Sequence, residues 1–167
     1  EHEQSYYRVI HDEFSDHVYI DPADVHIPNG LADDVPAACA GYEQAIVDAG
    51  GIDVQLLGIG TNGHVGFNEP ASSLSSLTRM KTLHPQTVAD NARFFNSVDE
   101  VPIHVVTQGL GTIQRAGQLV LIATGEHKAH AVAQLAEGPL SASCPASVLQ
   151  IHPHATVIVR SEEHTSE

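Results

Sequence analysis

Seven lysines and arginines are all the fixed positive charge in this 167-residue chain, against 21 aspartates and glutamates, for a formal net charge of −14 with histidine neutral. So acidic a chain has no basic stripe to neutralise a run of phosphates, which excludes a broad nucleic-acid surface. A small anionic ligand is not excluded, because a local pocket can oppose the global field. Any such pocket must draw on Arg8, Arg79, Lys81, Arg93, Arg115, Lys128 and Arg160. Cysteine is scarcer still: Cys39 and Cys144 stand far apart with no C-x-x-C spacing. With no basic-then-apolar leader, they read as free thiols in a reducing, cytoplasmic compartment. No apolar run approaches the ~18–20 residues of a membrane-spanning helix. Methionine occurs once, at Met80, and the sequence opens on Glu1, so the chain is expected to be a piece of a longer one.

What is present suits a globular core, with 42% hydrophobic residues in a length typical of one domain. Residues 1–160 are expected to form a partial domain. The wholly polar run from Ser161 to Glu167 reads as a tail, disordered or non-native. Helical and strand-like segments alternate, which predicts an α/β fold built on an open, mostly parallel, Rossmann-like sheet with helices on both faces, incomplete at its N-terminal end.

The spacing of Tyr6, Tyr7, Ile10 and Phe14 predicts an opening helix that ends near His17, and a second helix is expected from about Val35 to Ala49, closed by Gly50-Gly51. Strands are expected at 52–57, 77–83, 103–106, 118–123 and 156–159, and helices at 86–94, 126–136 and near 145–150, with a loop and helix start at 108–112.

The glycines of Gly58-Ile-Gly60-Thr-Asn-Gly63 match G-x-G-x-x-G, but the context of a dinucleotide site is missing. That fingerprint opens a helix and has an acidic residue some 20 positions on, at the end of a second strand. Here Gly66 and Pro70 oppose a helix, and no Asp or Glu occurs between Pro70 and Ala89. The loop does carry His64 and Glu69 just past the carboxyl end of a strand, where open α/β sheets place ligands. A carboxylate beside an imidazole can fix its tautomer and is expected to raise its pKa toward neutrality for proton transfer. A structural hydrogen bond is the alternative reading of His64. Gly60 and Gly63 read either as turn glycines or as points where a ligand approaches the backbone.

The run from Leu57 to Pro70 closely resembles the signature of glucosamine-6-phosphate deaminases. Ser5-Tyr6-Tyr7, Ser72-Ser73, the segment from Thr78 to Leu83, Asn91 to Phe95, Gly109 to Thr112, His127-Lys128-Ala129 and Leu149 to Pro153 follow in the family's order. The resemblance covers nearly the whole chain except the polar tail. It implies conversion of glucosamine 6-phosphate to fructose 6-phosphate and ammonia, without a cofactor or metal.

By this resemblance His64 is the acid/base on the ring oxygen and Glu69 the carboxylate paired with it. Asn62 stands where some members carry an aspartate. Arg93 and Lys128 match the phosphate ligands, a planar fork and a point charge suited to a dianion. Ser72, Ser73, Arg79 and Lys81 resemble the allosteric site for N-acetylglucosamine 6-phosphate, and Arg79 and Lys81 alternate on a strand, so they share a face. The resemblance also implies a homo-oligomer, with hexamers frequent. It places the proton-transferring aspartate and a phosphate loop ahead of Glu1, so the chain by itself is expected to be inactive. A sugar-phosphate sensor of the same fold and a 6-phosphogluconolactonase are the competing readings. His127-x-x-His130 and His152-Pro-His154 lack the spacing of a recognised zinc site.

Overall fold

The computed structural model describes residues 5–161, so six of the seven expected tail residues, 162–167, lie outside the described residues. Five helices and five strands, with short 3-10 turns between them, make up the described chain in the order α1 (Tyr6–Glu13), α2 (Val35–Asp48), β1 (Val54–Leu57), β2 (Arg79–Thr82), α3 (Pro85–Asn91), β3 (His104–Thr107), α4 (Leu110–Gln114), β4 (Gln118–Thr124), α5 (Ala129–Glu137) and β5 (Ala155–Arg160).

Local chemistry sets the boundaries. The Asp34 side chain caps α2 by accepting from Ala37 N at 2.9 Å, and Gly50 and Gly51, both at positive φ, close it through bonds back to Val47 and Ile46. α1 stops at Glu13, short of the expected His17, because Phe14 leaves helical geometry and Ser15–His17 continues as a 3-10 turn. The segment expected as a short helix near 145–150 is likewise a 3-10 turn, Pro145–Ile151.

The sheet is parallel in the order β1-β4-β5. β4 is central, and alternation along it sends Leu119, Leu121 and Ala123 into the core. They meet Leu57 of β1, Leu110 and Ile113 of α4, Ala131 and Leu135 of α5, and Ala146, Val148 and Leu149 of the last 3-10 turn. Each buried leucine side chain contributes roughly 1.5–3 kcal/mol relative to exposure. The opposite face presents Val54 and Leu56 of β1, Ile122 of β4 and Ile158 of β5 to solvent, with Leu56 at 64% exposure.

β2 and β3 do not join this sheet. They pair antiparallel with each other, Arg79 opposite Thr107 and Thr82 opposite His104. The reason is compositional: β2 reads Arg-Met-Lys-Thr, too polar to be buried on both faces as a central parallel strand is. Glu43 of α2 clips the pair to the core. Its Oε1 accepts from Thr78 N at 2.8 Å, Thr78 Oγ1 at 2.5 Å and Thr112 Oγ1 of α4 at 2.6 Å.

Candidate active site

The loop leaving β1 folds back on itself. Gly60 N donates to His64 O at 2.9 Å, and Gly63 N donates to Gly60 O at 2.9 Å. Two glycines are required here for different reasons. Gly63 sits at φ 83°, and a side chain there would also meet Cys144 Sγ. Gly60 is in ordinary backbone space, but a Cβ on it would overlap the His64 ring. The imidazole therefore lies flat over a bare backbone.

His64, Asn62 and Glu69 come together as expected from their spacing, in an order that spacing does not reveal. Glu69, a carboxylate only 5% exposed, accepts from Asn62 Nδ2 through Oε2 at 2.8 Å and from Thr87 Oγ1 through Oε1 at 2.5 Å. A carboxylate only accepts, so the Asn62 amide must turn its Nδ2 to Glu69 and its Oδ1 to His64. Oδ1 lies 2.6 Å from His64 Nδ1 and also accepts the His64 backbone N–H at 3.2 Å. Nδ1 therefore carries the proton, and Nε2 keeps a free lone pair. The direct separation of Nδ1 from Glu69 Oε2 is 3.5 Å, so the amide rather than the carboxylate is the nearer partner.

The expected rise in the His64 pKa is not found. Burial lowers it, and the attraction of Glu69 does not make up the difference; Lys128 pushes it down further and Asp90 pulls it up. The Phe67 ring, 6.5 Å away and tilted by 26°, forms an apolar wall beside the imidazole, with Tyr6 edge-on to it at 5.8 Å. A carboxylate held behind an amide gives up part of its Coulombic pull. The net effect favours the neutral imidazole over its charged form.

Lys128, in the turn before α5, donates from Nζ to the Ile59 carbonyl at 2.7 Å, which brings its charge to the same loop. Burial lowers its pKa, Asp90 raises it, and Arg93 lowers it, so Lys128 and Arg93 share one local field. Arg93 is exposed and lies 4.8 Å over the Phe94 ring. Lys128 therefore acts on His64, and Arg93 acts on Lys128.

The second group of candidates is arranged differently. Arg79 donates to Asn68 Oδ1 at 2.8 Å, and Lys81 follows on the same face of β2. Ser72 is 1% exposed, and its Oγ has no hydrogen-bond partner; Ser73 is exposed and bonds within its own turn. Among the described residues no hydrogen bond joins either serine to Arg79 or Lys81. Among the described residues, too, no three His, Cys, Asp or Glu side chains converge as a metal site needs.

Sequence reasoning missed Thr87, whose hydroxyl completes the Glu69 environment, and Asn68, a fully buried amide that donates to Val65 O at 3.0 Å and Gln108 O at 2.8 Å. Asn68 lay within the signature run and was legible as a buried polar residue. Thr87 left no signal.

The class these residues define is a parallel α/β sheet with His64, Asn62 and Glu69 joined on the loop after β1 and Lys128 bonded to that loop. The family profile described as Glucosamine-6-phosphate isomerases/6-phosphogluconolactonase matches residues 1–159, and the chain belongs to that family. It is 65% identical over 159 residues to the glucosamine-6-phosphate deaminase of Corynebacterium kroppenstedtii, covering 95% of this chain and 62% of that relative. The deaminase of Rhodococcus opacus is 62% identical over 158 residues, of which this chain spans 61%. The chain thus spans about three fifths of the curated relatives it matches. A solved structure of a monomeric glucosamine-6-phosphate deaminase superposes with a TM-score of 0.93 at 44% identity, over 96% of this chain and 66% of that one. The 6-phosphogluconolactonase of Thermotoga maritima shares the fold, with a TM-score of 0.72 at 18% identity over 97% and 67% of the two chains.

Proposed function

We propose that this chain supplies the acid–base and phosphate-binding part of a glucosamine-6-phosphate deaminase. The observation that carries the reading is the chain of contacts from Thr87 through Glu69 and Asn62 to His64, which leaves Nε2 unprotonated, with Lys128 acting on the same imidazole and Arg93 on Lys128. The identity to the Corynebacterium and Rhodococcus deaminases supports it.

In the proposed reaction, Arg93 and Lys128 hold the phosphate of the sugar and so fix the ring over His64. Nε2 takes the proton of the C1 hydroxyl and returns it to the ring oxygen. The C1 carbonyl forms as the bond from C1 to the ring oxygen breaks. A proton then moves from C2 to C1 and a second from the amino nitrogen to the C1 oxygen, leaving an imine at C2 that water hydrolyses to the ketose and ammonia. Gly60 and Gly63 act as turn glycines that seat the His64 ring and Cys144 against bare backbone. The group that moves the C2 proton is an aspartate that the resemblance places ahead of Glu1.

The 167-residue chain alone is proposed to be inactive, which the exposed apolar face of its sheet supports. Ser72, Ser73, Arg79 and Lys81 are proposed to take N-acetylglucosamine 6-phosphate, which the unpartnered, buried Ser72 Oγ supports. A cytoplasmic homo-oligomer, up to a hexamer, belongs to the same proposal. The solved 44%-identical deaminase is monomeric, and light scattering on the completed chain separates the two states.

The test is ammonia release from glucosamine 6-phosphate by this chain completed with the flanking segments of the C. kroppenstedtii deaminase, beside its His64→Ala variant. Turnover that collapses in the variant supports the reading. Binding without turnover points to a sensor, and hydrolysis of 6-phosphogluconolactone to the lactonase. Turnover by the 167-residue chain itself would overturn its proposed inactivity.

A further inference from the structure

Glu69 has two oxygens with separate duties. Oε2 faces Asn62 and His64, and Oε1 accepts from Thr87 Oγ1 at 2.5 Å. Thr87 is 3% exposed and belongs to α3, an element outside the His64 loop. The bond crosses 18 residues of sequence. α3 is held at its start by the His84 ring, which accepts from Gln86 N at 3.2 Å, and at its end by Asn91 Nδ2, which donates to the Thr87 carbonyl at 2.7 Å. The next turn, Ala92–Phe94, carries Arg93. Thr87 is therefore the point at which the helix leading to the phosphate-side arginine touches the carboxylate behind the catalytic imidazole.

We propose that Thr87 is a positioning residue: its hydroxyl holds Glu69 so that the carboxylate orients Asn62 and fixes the Nδ1–H tautomer of His64, and it ties that orientation to the placement of Arg93. The physical argument is one of rotational freedom. Without a donor at Oε1, the carboxylate is free to turn about its last torsion, which is broad for an sp²-terminated side chain. Once it turns, Nδ2 of Asn62 loses its acceptor and the amide has no fixed sense. An amide that presents Nδ2 to His64 would stabilise the opposite tautomer, with the proton on Nε2, and that tautomer cannot act as the base. A buried polar chain of this kind keeps its geometry only when every link is satisfied. The titratable groups facing the imidazole are Glu69 from its own loop, Asp90 from α3 and Lys128 from the turn before α5. Two of the three thus sit on α3 or contact it through Thr87.

For its kinetic arm this inference rests on the deaminase reading; its spectroscopic arm does not. The experiment compares Thr87→Val, which keeps the shape and removes the hydroxyl, with Thr87→Ser, which keeps the hydroxyl. Nitrogen-15 shifts of the His64 ring, assigned by the signal that His64→Ala removes, are recorded for the 167-residue chain near neutral pH. Kinetics are measured on the chain completed with the C. kroppenstedtii segments. The expected result is a single Nδ1–H tautomer in the parent and in Thr87→Ser, and a mixture in Thr87→Val. With it goes a fall in kcat of about tenfold in Thr87→Val and a change in KM of less than about twofold. Should Thr87→Val fail to fold, Thr87→Ala takes its place with the same expectation. A Val or Ala variant with the parent's tautomer and kcat overturns the proposal, as does a folded Thr87→Ser variant that behaves like Val. A tautomer shift in Thr87→Val, together with a completed parent chain that turns nothing over, supports the Thr87 link and sinks the deaminase reading.

Discussion

Arg79 reaches out of β2 to place its guanidinium 2.8 Å from Oδ1 of Asn68, a side chain with no solvent exposure. Asn68 lies between His64 and Glu69 in the chain, and it spends its two amide hydrogens on the carbonyls of Val65 and Gln108. Among the described residues, Arg79 thereby supplies the one donor to this amide oxygen. Replacing Arg79 by Met keeps the reach and removes the donor, leaving a buried carbonyl unpaired. Stability is expected to fall by about 1–3 kcal/mol in denaturant titrations of the 167-residue chain. An unchanged midpoint and slope would mean that Asn68 finds another donor.

His64 titrates below the ordinary imidazole range because burial disfavours its charged form. The folded state thus binds this proton less readily than the unfolded state does. Stability is expected to rise with pH between the depressed folded value and the ordinary 6.5, and to be flat from this group above it. Histidine NMR titration checks the ordering: the signal removed by His64→Ala should be among the last to shift as pH falls. A midpoint above 6.5 would reverse the sign.

Glu43 carries the opposite linkage. Burial pushes its carboxyl up, but hydrogen bonds from Thr112 and Thr78, aided by the charge of Arg115, outweigh it and hold the pKa below 4.5. Its stabilisation is present above the ordinary value and lost as pH falls through the folded one. Glu43→Gln should be less stable at neutral pH and should lose less stability than the parent between pH 5 and pH 3, about the range where a carboxylate of this kind protonates. Parallel acid-unfolding curves for the two proteins would contradict the clip.

Gly60→Ala isolates sterics from backbone strain, since Gly60 needs no left-handed conformation. The new methyl meets the His64 ring. The ring must leave its seat against Asn62, at an expected stability cost of about 1–3 kcal/mol from overpacking. Loss of the Nδ1–H tautomer signal, with near-native far-UV circular dichroism, is the expected signature.

Much of this was legible in advance, for identifiable reasons. The run Leu119-Val-Leu-Ile-Ala123 could only be a buried strand, and it is the central one. Gly60, Gly63, His64 and Glu69 share one short loop, so their meeting follows from chain connectivity. Residues whose partners are distant in sequence stayed hidden. Thr87 is one polar residue on a seven-residue helix, and its meaning lies in a carboxylate 18 positions back. Glu43 looked like any helical glutamate until Thr78 and Thr112 were folded onto it. The strands at β2 and β3 were readable, but their pairing with each other was not, because alternation identifies a strand and not its neighbour. The sign of the His64 shift failed because the loop sequence shows the neighbouring carboxylate but not how deeply folding buries the imidazole.

β1 and β4 are direct neighbours in the sheet, yet about 60 residues separate the end of one from the start of the other. His64, Glu69, Thr87 and Arg93 all lie in that excursion. Before the first hydrogen bond between β1 and β4 can form, the whole excursion must be looped out, and the entropy of that closure is paid ahead of any contact that rewards it. Assembly of this chain is therefore expected to be slow, with the loop that carries His64 among the last parts to take shape. A nascent polypeptide then exposes Leu57 and Leu121, which this pairing buries, for longest where a chaperone would find them.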